Sequence, residues 1–253
     1  MVFSHREVSV LTILRSVGQG GVNAPGDVAK VRARLVELGL DWIGGATTAG
    51  PEFIKAIRLF QAIKEGLDVV SGTKIDGRVD PNGETLKWLN AVNAPRWVRM
   101  TRDGVGFVNH EAFDGDDGHD FGTSWLDDSI KAAAARYEAD FRSGHPGATA
   151  IAVNDASLPR GGDTPLHQGH ETGLVADLRL PRKDRKFGGI TTTSALYDRE
   201  VARAQLQAFH TVPLLQHIFL NDDVLIAEGL CRPLGGHDNH VHIEIRPPTR
   251  ASG

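Results

Sequence analysis

The chain has 253 residues, 40% of them hydrophobic and 24% charged, with a formal net charge of -4. That length suits two modest domains, because single cores commonly stop growing at roughly 100 to 200 residues. The acidic balance offers no basic field for a nucleic-acid backbone, no apolar run approaches the ~20 residues of a membrane span, and a single cysteine, Cys231, excludes an intramolecular disulfide.

The start, Met-Val-Phe-Ser-His-Arg-Glu, lacks a basic n-region, and the apolar stretch from Val8 to Leu14 is followed by Arg15 rather than by a small-residue cleavage site, so no Sec signal is expected. Val28, Val31, Leu35 and Leu38 recur at helical spacing, with Asp27 read as N-cap and Gly39 as stop. Pro51 opens a second helix carrying Phe53, Ile54, Ile57, Phe60 and Ile63 and ending at Gly66. Asp76-Gly77 marks a turn, and Asn82-Gly83-Glu84 leads into a third helix with Leu86 and Leu89.

Three short helices in this order predict a small N-terminal bundle. Val31 to Gly39, then Ala56-Ile57-Arg58-Leu59-Phe60-Gln61, then Asp76-Gly77-Arg78-Val79-Asp80 with Thr85-Leu86, resemble the three-helix peptidoglycan-binding domain over roughly residues 25 to 92. The resemblance implies cell-wall binding.

Ala94-Pro95 punctuates a boundary, giving expected domains of residues 1–95 and 96–253, and the Gly- and Asp-rich stretch 102–122 reads as a linker or surface loop. The run Asp114 to Asp120 invites a calcium-loop reading but has Trp125 where an EF-hand needs its twelfth-position Glu, so a solvated acidic loop is expected. Residues 124–141 read as an Ala-rich helix, 148–153 as a strand, 198–209 as a helix and 218–220 as a short strand or helix end. Without regular βαβ alternation, the second domain is expected to be α+β with a central antiparallel sheet.

Five of the eleven histidines gather in two short segments, His167 with His170 and His237 with His240 and His242. Leu174, Ala176, Leu178 and Leu180 alternate, so in a strand Asp177 projects from the opposite face. Val241, Ile243 and Ile245 obey the same parity, which puts His240 and His242 together on the other side, roughly 6.6 Å apart. If the strands pair, a carboxylate and two imidazoles converge, a ligand set suited to a catalytic zinc ion, Zn2+, whose bound water has a pKa lowered to about 7. No HExxH occurs, so any such site is strand-borne.

These segments resemble the penicillin-insensitive murein endopeptidases, within the wider group of zinc peptidases that includes lysostaphin-type enzymes, D-Ala-D-Ala carboxypeptidases and hedgehog domains. The likeness rests on Asn154-Asp155-Ala156-Ser157, Arg160-Gly161-Gly162, His167 with His170, Asp177, Phe219-Leu220-Asn221-Asp222 and Gly236-His237-Asp238-Asn239-His240-Val241-His242, over roughly residues 104 to 247. It implies His170, Asp177 and His242 as zinc ligands, His240 as a stabiliser of the tetrahedral intermediate and His237 as base, with Arg160 and His167 as candidate substrate-binding residues. Gly169 and Val175 depart from the Ser and Asp common at those positions. Glu244 shares the face of the ligands and is open as either a base or a solvent-side residue, while Cys231 is open as a thiolate ligand or a buried hydrophobe.

The expected activity is hydrolysis of the D-Ala to meso-diaminopimelate amide in peptidoglycan cross-links. The alternatives are a D,D-carboxypeptidase or dipeptidase on wall peptides, or a zinc-containing wall-binding module without turnover. Without a Sec signal, such a protein is made in the cytoplasm and reaches the wall by host lysis or a dedicated export machine, as a phage endolysin or an antibacterial effector. The corresponding partners are peptidoglycan itself and a holin, an immunity protein or a secretion machine.

Overall fold

A computed structural model of the chain describes residues 10–114, 118–164, 167 and 169–251. The start read for an export signal, the centre of the acidic run at 115–117, and Leu166 and Gln168 lie outside the described residues. The chain divides into two compact units, Met1–Gln61 with Gly72–Ala94 and Thr249–Gly253, and Ala62–Ser71 with Pro95–Pro248. Both are mixtures of helix and strand.

In the first unit β1 (Val17–Gly18) pairs antiparallel with β2 (Arg78–Val79), and the three predicted helical stretches are α1 (Pro25–Glu37), α2 (Pro51–Glu65) and α3 (Glu84–Leu89). The strand pair was not legible in the sequence. Asp27 is not the N-cap of α1: Pro25 begins the helix earlier, with Ala24 at the cap, and the Asp27 carboxylate instead accepts from the amides of Leu14 and Arg15 at 3.1 and 2.9 Å. Val28, Val31 and Leu35 of α1, Phe53, Ile57 and Phe60 of α2, and Leu89 of α3 form the core. Gln61 fixes the Asp76-Gly77 turn, donating to Asp76 Oδ1 at 2.7 Å and accepting from Gly77 N at 2.8 Å.

The second unit is built on β3 (Trp97–Arg99), β4 (Asp103–Gly104), β5 (Phe107–Asn109), α4 (Glu111–Asp114), β6 (Phe121–Thr123), α5 (Ser124–Asp140), β7 (Ile151–Val153), β8 (Val175–Arg179), α6 (Arg199–Phe209), β9 (Leu215–Phe219), α7 (Asp223–Ala227) and β10 (His240–Ile245). Six strands form one sheet in the order β4-β5-β7-β8-β10-β9, and β3 pairs with β6. The sheet is antiparallel except at β5 and β7, which run parallel because the intervening chain crosses over through α5.

Two expectations are corrected here. The stretch 102–122 is no linker, since it supplies β4, β5, α4 and β6. Its far end is no solvated loop either: His119 and Asp120 are both buried, Asp120 pairs with Arg99, and its carbonyl accepts from Met100 N. The signal was misleading because Gly and Asp mark turns, while strands of two or three residues are too short to show a period.

The helix starts follow from side-chain caps. Thr123 Oγ1 accepts from Leu126 N at 3.2 Å to open α5, and Asp198 from Val201 N at 3.3 Å to open α6. Ile218 and Phe219 are the end of a strand, β9, and the buried Leu220 follows it. Strand β8 is apolar on one face as expected, yet Val175 and Asp177 on the other face are buried as well.

Between β7 and β8 the chain is held by Gly173, whose φ of +67° and close approach to β6 leave no room for a side chain: a Cβ there would lie 2.6 Å from Gly122 Cα and 2.7 Å from Thr123 N. Replacing Gly173 by Ala should destabilise this unit by about 3 kcal/mol, from left-handed strain plus a backbone clash that no rotamer relieves, which lowers Tm by roughly 10 °C for a unit of this size. Calorimetric melting of the Gly173→Ala protein checks it.

Candidate metal centre

Strands β8 and β10 are direct neighbours, and their register sets His242 opposite Asp177 and His240 opposite Arg179. The parity expected from the alternating apolar residues therefore places one carboxylate and two imidazoles on the same side of the sheet. The turn before β8 brings in His170, held at φ +60° after Gly169 at φ +96°.

Gly169 has a φ of +96° that L side chains rarely adopt, and a Cβ there would meet Asp68 Oδ2 at 3.0 Å. The 62–71 segment fastens this turn through further bonds: Glu171 N donates to Asp68 O at 3.0 Å, Val70 N to Glu171 Oε2 at 2.7 Å, and Thr172 Oγ1 to Leu67 O at 2.6 Å.

His170 Nε2, Asp177 Oδ1 and His242 Nδ1 face one another, with separations of 3.4 Å from His170 to Asp177, 3.3 Å from His170 to His242 and 2.8 Å from His242 to Asp177. A tetrahedral ion with bonds of ~2.0–2.1 Å has ligand-to-ligand edges of about 3.3–3.4 Å, so two of the three separations already match and the third is short by about 0.5 Å. The donor set fits a divalent metal of borderline character. Each imidazole is aimed by its other nitrogen. His170 Nδ1 lies 3.0 Å from Ala156 O, and His242 Nε2 lies 3.5 Å from Glu244 Oε1, which selects the tautomer that presents the remaining nitrogen to the centre. Glu244 is thus the orienting partner of His242.

Asp177 is 4% exposed. Burial works to raise its carboxyl, but hydrogen bonds from His170 and His242, then the charge of His170 and His240, outweigh that and hold it well below the usual carboxylate range. Burial works to lower His242, yet its bonds to Asp177 and Glu244 push it up to about 9. A metal ion entering here therefore displaces a proton.

Two of the other clustered histidines approach the same carboxylate and the third adjoins them. His240 Nε2 lies 3.6 Å and His167 Nδ1 3.7 Å from Asp177 Oδ2, and His237 stacks beside His240 with ring centroids 4.7 Å apart. Burial lowers both His240 and His167, against the opposing pull of Asp177. His237, His240 and His242 form one group whose ligand atoms lie within 4.8 Å of one another, and His167, His170 and Asp177 form a second.

A third such group, Glu111, His119 and Asp155, was not foreseen. It adjoins the first two through His167, whose Nε2 is 3.6 Å from Asp155 Oδ2 and whose ring centroid is 5.5 Å from that of His119. Asp155 stands inside the Asn154-Asp155-Ala156-Ser157 motif, which was the available signal; Glu111 and His119 had none. Beside the cluster lies a cavity of about 350 Å³ lined by Asp155, His167, Asp177, Arg179, Asn239 and His240 among others. Arg160 sits exposed on the loop before His167 and does not line that cavity.

Cys231 is apart from the centre: its thiol is buried, donates to Leu220 O at 3.5 Å, and is pushed up to about 11 by burial and then by Asp222 and Glu228. No family model matches the chain, and no curated protein matches it.

Two measurements follow. Glu244→Leu, which removes the acceptor facing His242 Nε2, should weaken metal binding 10- to 100-fold in a chelator competition assay. The native Cys231 thiol should resist iodoacetamide at pH 8, some three units below its titration, and react stoichiometrically once the protein is denatured, as mass spectrometry would read.

Proposed function

We propose that the chain is a zinc-dependent peptidoglycan endopeptidase that hydrolyses the D-Ala to meso-diaminopimelate amide of stem-peptide cross-links. One observation supports this above the rest: His170 Nε2, Asp177 Oδ1 and His242 Nδ1 crowd to within 2.8–3.4 Å of one another, beside a cavity wide enough for a peptide, with further imidazoles at its edge. Two imidazoles and a carboxylate with an open side is the donor set of a catalytic rather than a structural zinc site. Bound there, zinc supplies a Lewis acid for the scissile carbonyl and activates water for attack.

The chain's own groups divide the remaining work. His240 stands on the cavity wall with Nδ1 held by Asn239 Oδ1 at 2.7 Å, and its Nε2, once protonated, donates to the oxygen that gains charge as the carbonyl becomes tetrahedral. His237 Nδ1 is engaged with Gly235 O at 3.1 Å, so its Nε2 is the atom that accepts the proton from the attacking water and returns it to the leaving amine. Glu244 and the Ala156 carbonyl hold the ligand rings in place.

The residues of α1 to α3 that resemble a peptidoglycan-binding domain complete the reading, as the part that keeps the enzyme on its insoluble substrate and raises its local concentration there. Among the described residues no helix is long and apolar enough to cross a membrane. The setting we propose is a phage endolysin or an exported antibacterial effector, for which a holin or an immunity protein is the matching genetic neighbour.

Zinc content and muropeptide products, measured on the same preparations, test the reading. Wild-type protein should carry zinc and convert cross-linked dimers to monomers, and His242→Ala should lose both. His240→Ala should keep the metal while kcat falls by 10²- to 10³-fold, the usual cost of removing one oxyanion donor. Release of single D-Ala residues from monomers would make the protein a carboxypeptidase instead. Wild-type turnover that persists without metal would overturn the proposal.

A further inference from the structure

Arg179 lies two residues beyond Asp177 on β8, so both side chains emerge on the same side of the sheet with Cα atoms roughly 6.6 Å apart. Its cross-strand neighbour is His240. Arg179 lines the cavity beside the metal centre and also an adjoining cavity of about 360 Å³ walled by His110, Phe113 and Phe187.

Its Nε is buried without a hydrogen-bond partner, and no ion pair joins it to a carboxylate among the described residues. A guanidinium donor withdrawn from water and left unmatched is costly, which marks it as a position completed by something outside the chain. On the second cavity His110 Nε2 is likewise buried without a partner. The planar fork of an arginine matches a carboxylate with two parallel bonds.

We infer that Arg179 anchors a free carboxylate of the substrate, one borne on the carbon that also carries the scissile amide nitrogen. This rests on the hydrolase reading above and specifies its substrate. The geometry supports that placement, because a carboxyl carbon two bonds from the scissile nitrogen lies a few ångströms from the carbonyl under attack, and Arg179 is one strand repeat from the ligand that marks the site of attack. The apolar walls at Phe113 and Phe187 then face whatever continues past that carbon. Arg160, the arginine singled out from the sequence, is exposed and off the cavity.

The chemical consequence is selectivity between acid and amide. A cross-linked muropeptide whose carboxylate at that carbon is free should be cleaved with kcat/KM on the order of 30-fold above the same dimer carrying a carboxamide there, the scale of a hydrogen-bonded charge pair. In Arg179→Gln the ratio should collapse to within about threefold, in Arg179→Lys it should recover in part, and in Arg160→Gln it should persist.

Binding is read separately from turnover by calorimetric titration of N-acetyl-D-alanine and N-acetyl-D-alaninamide into wild-type and Arg179→Gln protein, with and without zinc. Zinc content equal to wild type certifies the fold of each variant, and if Arg179→Gln does not fold Arg179→Lys carries the test, an acid-to-amide ratio unchanged from wild type overturning the anchor. Hydrolysis without an acid preference, or a preference that survives in Arg179→Gln, overturns the carboxylate anchor and leaves the hydrolase standing. An acid preference in binding that Arg179→Gln abolishes, with no hydrolysis of either dimer, upholds the anchor and removes the hydrolase.

Discussion

A buried carboxylate organises the second unit. Asp177 sits in the middle of a central strand, almost wholly withdrawn from water, where an unpartnered charge would cost several kcal/mol. Four imidazoles approach it within 3.7 Å, and none of them arrives by accident of local sequence. His240 and His242 come from the antiparallel neighbour strand, in a register that the apolar alternation of both strands enforces, because a one-residue slip would send every side chain to the other face. His170 comes from a stretch whose backbone departs into the left-handed region at Gly169 and His170, and His167 lies just upstream of it. The cost of burying one charge is thus offset by groups that are themselves suited to holding a cation.

This constraint explains which parts of the centre were legible beforehand. The parity of residues 174–180 and 240–245 is a property of any strand with one apolar face, so the convergence of Asp177, His240 and His242 could be read directly from residue spacing. The place of His170 could not, because it depends on a turn at positive φ and on anchoring by the distant 62–71 segment, and neither leaves a periodic trace. Asp155 and His119 approach through tertiary packing alone, and Glu111 does so from a four-residue helix inside a stretch whose composition suggested a loop. Arg179 leaves no trace of its own, because it stands two residues beyond the proposed ligand Asp177 at the end of an apolar strand, where its surroundings depend on the loops that wall the cavity.

The same division runs through the fold. Long amphipathic helices such as α2 and α5 declare themselves by period and by proline, glycine or threonine at their ends. Strands β1 to β6 are two or three residues each, below the length at which alternation carries information, and they pair with strands as short as themselves that are distant or unmarked in sequence. The mixed character of the large sheet has the same origin: its one parallel pair is dictated by the crossover through α5, which no local pattern announces.

The fastening of the His170 turn by Leu67, Asp68 and Val70 bears on how this protein can be dissected. A gene fragment starting at Pro95, the natural place to cut by composition, would omit three backbone partners of that turn together with the carboxylate that faces Gly169. Such a fragment would retain every proposed ligand and still lack the brace that aims one of them. The histidine cluster is therefore not a portable cassette: its outermost support is encoded upstream of the linker-like Ala-Pro, interleaved with the sequence of the other unit.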